Sequence, residues 1–206
     1  MKKFIVFIFS ILMASSLLGS VSKSNFDVYD NLVRNKANVV EQGVKIQYRY
    51  DGIYKKEIES IKSLLKIESD FNIYNKNFYY HDKTDKYSIE IKGIDSFVEV
   101  EIKYFIENIK VEKIEKKLEA IFNTKRELES FSYIKAKVKN NFDIDKEISI
   151  LNENSKIKEI TNLKISSGVT GTIKLYNKKE YNYSFITYEK DDNYIIVGSP
   201  VIFTVY

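Results

Sequence analysis

The segment Phe-Val-Glu-Val-Glu-Ile-Lys-Tyr-Phe-Ile, residues 97–106, alternates apolar and charged side chains from Val98 to Tyr104. Successive side chains of a β-strand point to opposite faces, so this alternation predicts a strand with one apolar and one charged face. Residues 44–50 show the same pattern, and Asp51-Gly52 after them indicates a turn. Such strands are typical of an antiparallel sheet that is covered by helices on one side and open on the other.

Apolar residues at helical spacing lie on either side of these strands. Ile58, Ile61 and Leu65 share one side of a predicted helix over 54–67, and a second helix is predicted over 111–122. A capping-box-like start at Ser24 predicts a further helix that ends before residue 43. The intervening chain predicts strands at 71–80, 86–92 and 97–106.

The same order of elements starts again after residue 130. A predicted strand ending at Val138 precedes a helix over 144–151, whose first turn carries Asp143 and Asp145. Further strands are predicted at 157–166, 171–177, 181–189, 193–198 and 201–205, with a loop at 166–171. The order predicts an α+β fold of two pseudo-repeats, roughly 44–124 and 130–206, each β-α-β(n)-α. Together they would form a curved antiparallel sheet with helices on one face.

The start of the chain indicates an export signal. Lys2 and Lys3 precede an apolar run over 4–18, and Ser20 and Ser22 supply the small residues of a cleavage site. We expect residues 1–22 to be a signal peptide that engages the membrane during export. Residues 23–206 would then be extracytoplasmic, either secreted or tethered on the outer side of the cytoplasmic membrane. An uncleaved anchor is the alternative, because an apolar run of this length can span a slightly thinned bilayer.

Composition limits the partners of the exported region. The chain is 44% hydrophobic and 30% charged, with 7 Gly and 1 Pro, which is typical of a globular protein. It has no Cys, so packing rather than disulfide bonds must stabilise it. Removing Lys2 and Lys3 leaves 33 − 2 = 31 basic residues against 29 acidic ones. This nearly neutral balance argues against a nucleic-acid partner.

Motif searches indicate no catalytic residue, cofactor or metal. His81 is the single histidine, and it falls in a predicted polar turn without a second zinc ligand nearby. Residues 191–193 resemble half a calcium loop, but a hairpin turn explains them better. The penicillin-recognising enzymes combine Ser-x-x-Lys with two companion motifs that are missing here. Four Ser-x-x-Lys tetrads nevertheless occur, a number close to chance, starting at Ser20, Ser63, Ser132 and Ser155.

Residues 193–206, Asn-Tyr-Ile-Ile-Val-Gly-Ser-Pro-Val-Ile-Phe-Thr-Val-Tyr, carry a resemblance to a known family. With the export signal and the repeated order of elements, this closing run resembles the YwmB family of Gram-positive bacteria. The motif-like part is Gly198-Ser199-Pro200 followed by alternating apolar residues. The resemblance implies a fold similar to that of the TATA-box-binding protein and an exported Firmicute protein. It implies neither catalytic residues nor DNA binding, because function depends on the site and not on the fold.

The predicted open face mixes both signs of charge, which favours a binding role. We expect a non-enzymatic exported cell-envelope protein that binds a partner protein or a cell-wall polymer through this face. A cell-envelope hydrolase using the strand carboxylates is the alternative, although solvated alternating charge explains them more simply. The aromatic sets Phe78-Tyr79-Tyr80 and Tyr181, Tyr183, Phe185 are interpreted as half-buried strand residues, with stacking on sugars as the other reading. The charged residues assigned to the face are Lys45, Arg49, Glu90, Glu99, Glu101, Lys135 and Lys137.

Overall fold

A computed structural model of the chain describes residues 27–34, 36–107, 109–138, 142–188 and 192–202. These residues form an α+β fold with one large antiparallel sheet, as the alternating pattern predicts. The signal peptide expected at 1–22, the helix start at Ser24 and the last three residues of the strand predicted over 201–205 lie outside the described residues. The first half follows the predicted order of strand, helix, strands and helix, whereas in the second half no helix follows the last strand among the described residues.

The first half begins with a π-helical turn and contains two α-helices and five strands in its described part. Their bounds are Asp30–Arg34 for the π-helical turn, β1 Asn38–Arg49, α1 Tyr54–Leu65, β2 Asn72–Tyr74, β3 Asn77–Lys83, β4 Tyr87–Ile94, β5 Phe97–Tyr104 and α2 Val111–Phe122. The second half consists of β6 Arg126–Lys137, α3 Ile144–Asn152, β7 Ile157–Ile165, β8 Gly168–Leu175, β9 Glu180–Thr187 and β10 Asn193–Ser199.

The described strands form a single ten-stranded sheet in the order β2-β3-β4-β5-β1-β6-β10-β9-β8-β7. Every neighbouring pair is antiparallel, and β1 and β6 lie side by side at the centre. Strands that are distant in sequence therefore meet in the middle of the sheet. The edges are the short strand β2 and the strand β7.

The strand register assigns side chains to two faces. Val44 lies opposite Ile102 on β5 and opposite Ser132 on β6, so these positions share one face. Burying each large aliphatic side chain on this face contributes about 1.5–3 kcal/mol. The main core combines this face with one apolar stripe from each helix, which is why the helices pack on the same side of the sheet. The stripes include Ile58, Ile61 and Leu65 of α1, Ile114 and Leu118 of α2, and Ile148 and Leu151 of α3.

The helix predicted from Ser24 to before Gly43 is too long. Helical backbone ends at Arg34, and β1 already begins at Asn38. The β-branched pair Val39-Val40 suits a strand, and β1 gains ladder hydrogen bonds from β5 on one side and β6 on the other. At Val39 the pairing is with Ala136 of β6, and this ladder outweighs the weak helical spacing of the valines.

The single strand predicted over 71–80 is a hairpin of β2 and β3. Asn75 and Lys76 connect these strands with φ values of 48° and 70°. Positive φ at both central residues is typical of a type I′ turn, whose twist matches that of the flanking strands. The turn uses no glycine, so the sequence gives little sign of it.

The predicted loop over 166–171 and the strand predicted over 201–205 also differ from the structure. The turn comprises Ser166 and Ser167, and β8 begins directly at Gly168. Val201 and Ile202 do not continue a strand after Pro200, which has no N–H to donate to a neighbouring strand. Within the described ranges, no helix is both long and apolar enough to cross a bilayer.

Candidate functional site

The candidate site is the sheet face opposite the helices, which we call the open face. Lys45 lies opposite Glu101 on β5 and opposite Phe131 on β6, and Glu101 lies opposite Glu90 on β4. Because paired positions share a face, the register brings together all of the charged residues that the sequence assigns to it. These are Lys45, Arg49, Glu90, Glu99, Glu101, Lys135 and Lys137.

Acids and bases on the open face are matched in pairs. Lys45 Nζ lies 3.5 Å from Glu99 Oε2, and Gln47 Nε2 donates a 2.7 Å hydrogen bond to the same oxygen. Lys103 Nζ lies 2.9 Å from Glu101 Oε1. The Lys45–Glu99 pair runs diagonally between β1 and β5, whereas Lys103 and Glu101 lie two residues apart along β5. Neighbouring cations and carboxylates therefore neutralise one another. The face is polar without a net excess of either charge along these strands.

Glu90 shows the electrostatic consequence of this pairing. Partial burial alone would raise the pKa of its carboxyl, but the hydrogen bond and charge of Lys92 lower the pKa below its ordinary value. Lys92 Nζ lies 3.0 Å from Glu90 Oε1. A carboxyl with a lowered pKa is ionised at neutral pH and is poorly suited to donate a proton.

Aromatic rings alternate with these charges on β3, β5 and β6. The rings of Tyr79 and His81 stack with their centroids 6.5 Å apart and their planes 8° apart. The Arg49 guanidinium lies over the Phe97 ring at 4.2 Å, and Lys45 Nζ lies 5.2 Å from the centre of the Phe131 ring. Phe97 is 46% exposed and Tyr79 is 37% exposed. Flat apolar surfaces therefore stand beside hydrogen-bonding groups.

The face contains shallow depressions between these side chains. One of about 320 Å³ is lined by Tyr79, His81, Glu90 and Glu101 among others. Another of about 300 Å³ lies beside Phe97 and includes Gln47 and Glu99 in its lining. Both are lined by β1, β4 and β5, which places them on the part of the face contributed by the first half of the chain.

The opposite end of this face is apolar and covered. Tyr133 and Ile196 are completely buried although they lie on the open face, and they do not belong to the main core. The chain turns back after β10, so that a Cβ atom at Gly198 would meet Ile202 Cγ1 at 3.0 Å. Asn182 also donates a hydrogen bond to the carbonyl of Pro200. The face is thus covered beside Gly198 and stays uncovered over β3, β4 and β5.

The sequence places His81 in a polar turn, and this prediction is wrong. His81 is an exposed residue within β3, opposite Glu90. Alternation continues through residues 77–83 despite their polarity, since β3 pairs with β4 along its whole length. This position does not make His81 part of a metal site. In the described ranges, no group of three or more acidic or histidine side chains could hold a metal ion.

The Ser-x-x-Lys serines do not lie in a shared site. Ser63 is exposed on α1, and Lys66 ends that helix in a left-handed conformation with φ of 56°. Ser132 is buried, where its hydroxyl lies 3.0 Å from Glu115 Oε2. Ser155 lies in the turn before β7, and Ser20 is outside the described residues. None of the described tetrads therefore brings its lysine to its serine by a hydrogen bond that the structure records.

The sequence gives no sign of a half-buried carboxyl pair on the helix side of the sheet. Asp27 caps the first helical turn by accepting a 2.8 Å hydrogen bond from the Tyr29 N–H. Burial raises its pKa from 3.8 to about 6, and the charge and hydrogen bond of Glu112 add to the increase. Arg34 holds Glu112 Oε2 at 2.7 Å and lies 3.7 Å from Asp27 Oδ2. A proton on Asp27 can be donated to Glu112, which favours the protonated form and raises the pKa of Asp27.

Asp27→Asn is expected to stabilise the protein by about 1 kcal/mol near neutral pH, allowing for partial solvent exposure. The folded-state pKa of Asp27 is raised, so its stabilising proton is fully present below about pH 4 and is lost as pH rises through about 6. The Asn amide keeps the cap and donates to Glu112 at every pH. Urea unfolding at several pH values measures the effect.

The exposed turn residue Asp85 provides the control for this pH experiment. Asp85→Asn should leave the pH dependence of the unfolding free energy unchanged. If Asp27→Asn destabilises the protein at pH 8 as much as at pH 5, protonation of Asp27 does not stabilise the folded protein.

A scan against models of known protein families finds no match, and no curated protein matches the chain at a significant level. The function of this chain is therefore inferred from its sequence and from the geometry of the open face.

Proposed function

We propose that the chain is a non-enzymatic, extracytoplasmic cell-envelope protein that binds a cell-wall polymer through the open face of β3, β4, β5, β1 and β6. The observation that carries this proposal is the uncovered row of exposed aromatic rings, Tyr79 and Phe97, set among matched charges. The export signal over 1–22 supports the envelope setting.

A polysaccharide suits this face better than a partner protein does. The centres of protein interfaces are depleted in charged residues, whereas ion pairs such as Lys45–Glu99 and Lys103–Glu101 occupy the centre of this face. Sugar rings can stack on Tyr79 and Phe97 while their hydroxyl and amide groups exchange hydrogen bonds with the polar side chains. A partner protein remains the second candidate, because exposed aromatic side chains are also typical of protein interfaces.

We further infer that the halves are pseudo-repeats of a fold like that of the TATA-box-binding protein, and that the chain is a member of the YwmB family. Strand order supports the duplication: read outward from the centre, one half runs β1-β5-β4-β3-β2 and the other β6-β10-β9-β8-β7. In each half a helix follows the central strand. The closing run over 193–206 supports the family assignment.

DNA is not the partner that we propose. A minor-groove binder of this shape needs unpaired Arg or Lys and apolar wedges on its sheet. On this face Arg49 pairs with Glu127 at 2.8 Å, and the nearby lysines also have acidic partners. The balance of charge would repel phosphate groups as much as it attracts them.

The hydrolase alternative lacks a suitable acid on this face. A general acid needs a carboxyl that keeps its proton near neutral pH, and such groups have a raised pKa. The pKa of Glu90 is instead lowered, and Glu99 and Glu101 are each held by a lysine. These contacts favour binding over catalysis.

Retention on purified cell-wall polymer tests the proposal. Tyr79→Ala together with Phe97→Ala should weaken retention by about tenfold or more, since truncating aromatic anchors removes much of the binding energy. Ile150→Ala is the matched control, because Ile150 is 48% exposed on α3, on the other side of the sheet. It should bind like the unmodified protein.

The comparison with envelope protein extracts separates the two candidate partners. Retention of a discrete protein by the unmodified chain, but not by the double variant, would replace the polymer with a partner protein. Equal loss of retention in the double variant and in Ile150→Ala would contradict any specific role of the open face.

A further inference from the structure

A cavity on the helix side of the sheet has the chemistry of a ligand site. It has a volume of about 730 Å³, within the range of pockets that hold small molecules. Leu175 and Tyr181 of the sheet form part of its apolar lining, and both side chains are otherwise buried. Its rim comes from α2, from the segment before β7 and from the connection between β8 and β9.

Lysines from these separate parts of the chain line the cavity. Lys116 belongs to α2, Lys156 precedes β7, and Lys179 precedes β9. None of these lysines forms an ion pair with any residue that the structure describes. Their charges thus remain available to a ligand, unlike those of the lysines on the open face.

The acids of the cavity form ion pairs with Arg34 and not with these lysines. Asp27 and Glu112 also line it, but Arg34 lies 2.7 Å from Glu112 Oε2 and 3.7 Å from Asp27 Oδ2. Arg34 is held in addition by Asp30 at 2.8 Å. Arg34 and the three lysines are four positive charges against the three of Asp27, Asp30 and Glu112, so 4 − 3 leaves the cavity with a net charge of +1.

We infer that this cavity binds a ligand that carries two or more phosphate groups. Lysine ammonium groups are compact point charges that suit tetrahedral phosphate, whereas planar carboxylates favour the fork of an arginine. The one arginine near this site, Arg34, is already engaged by acids on its guanidinium nitrogens. The apolar lining from Leu175, Tyr176 and Tyr181 would contact the body of the ligand that links its phosphates. This site is separate from the open face and independent of its proposed function.

Calorimetric titration with sodium triphosphate tests the inference directly. The unmodified protein should bind it saturably, and Lys156→Gln with Lys179→Gln should weaken binding by about tenfold or more, because each lysine contributes a charge-assisted contact. The matched control is Lys158→Gln with Lys178→Gln. It removes the same charge from neighbouring positions that do not line the cavity, and it should change affinity by less than about twofold.

Two further arms give decisive outcomes. Citrate, a polyanion of carboxylates, should bind much more weakly than triphosphate, and equal affinity would overturn the assignment to phosphate. Equal weakening by the control pair, or the absence of saturable binding to the unmodified protein, would overturn the cavity as a site. The double variant Tyr79→Ala with Phe97→Ala should bind triphosphate normally. A failure of the open face to bind wall polymer can therefore be distinguished from a failure of the cavity to bind triphosphate.

Discussion

Lys125→Met is expected to lower the free energy of unfolding by about 3 kcal/mol, because it leaves a buried carboxylate without its cation. Lys125 Nζ donates to Glu57 Oε1 at 2.8 Å, to Glu57 Oε2 at 3.0 Å and to Ser60 Oγ at 3.1 Å. Glu57 is only 8% exposed. Its remaining hydrogen bond, 2.7 Å from the Tyr48 hydroxyl, cannot replace the ammonium charge.

Tyr48 stays a hydrogen-bond donor throughout the physiological pH range. Burial raises the pKa of its hydroxyl well above the ordinary value, and the hydrogen bond and charge of Glu57 raise it further. The Lys125 ammonium also lies 5.4 Å from the centre of the Tyr48 ring. Removing the lysine therefore disturbs a network that joins α1, β1 and the start of β6.

Urea unfolding of three variants measures this effect. Adding Glu57→Gln to Lys125→Met should recover part of the lost stability, because a neutral amide costs less to bury than an unpaired carboxylate. Lys62→Met is the control, since Lys62 pairs at 3.2 Å with the fully exposed Asp70 and should change stability by less than about 1 kcal/mol. A loss no larger than that of the control would mean that Glu57 is not stabilised by Lys125.

The sequence predicts a strand or a helix well where one side of the element is buried and the other side is exposed. Residues 98–104 alternate strictly because their apolar side chains meet the helices and their charged ones meet the open face. The helix over 111–122 is equally well predicted, since Val111, Ile114 and Leu118 keep one buried stripe. Local periodicity is sufficient for such elements.

Turns without glycine are harder to predict. Asp95 and Ser96 connect β4 to β5 with φ values of 48° and 71°, much like Asn75 and Lys76 in the β2–β3 hairpin. Any of these residues also occurs in ordinary loops, so composition alone does not distinguish a tight turn from a continuing strand. The predicted strand over 71–80 missed its turn for this reason.

Alternation along the strands predicts which residues share the open face, but it does not predict which of them contact each other. Parity along each strand is enough to predict that Lys45, Glu99 and Glu101 share a face. Which acid meets which base depends on the register between strands, as does the opposition of Glu90 and Glu101. The Asp27–Glu112 pair and the Glu57–Lys125 pair join distant parts of the chain, and no local pattern indicates either of them.

Gly93→Ala is expected to cost about 3 kcal/mol, because the Phe78 ring occupies the space that the new methyl group requires. A Cβ atom at Gly93 would lie 2.1 Å from Phe78 Cε1 and from Cζ. Phe78 is opposite Gly93 in the β3–β4 pairing and is 2% exposed. An aromatic ring packed across a strand glycine compensates for the missing side chain, which is a recognised way of stabilising glycine in a sheet.

The Phe78 ring cannot move aside at low cost, since its neighbours hold it. The Phe71 ring contacts it edge-on at 5.9 Å, and the Tyr50 ring lies 6.1 Å away. A double-mutant cycle with Phe78→Leu separates the steric clash from a general weakness of the strand. If the clash carries the cost, the double variant loses less stability than the sum of the single losses. Additive losses would instead assign the effect of Gly93→Ala to the backbone of β4.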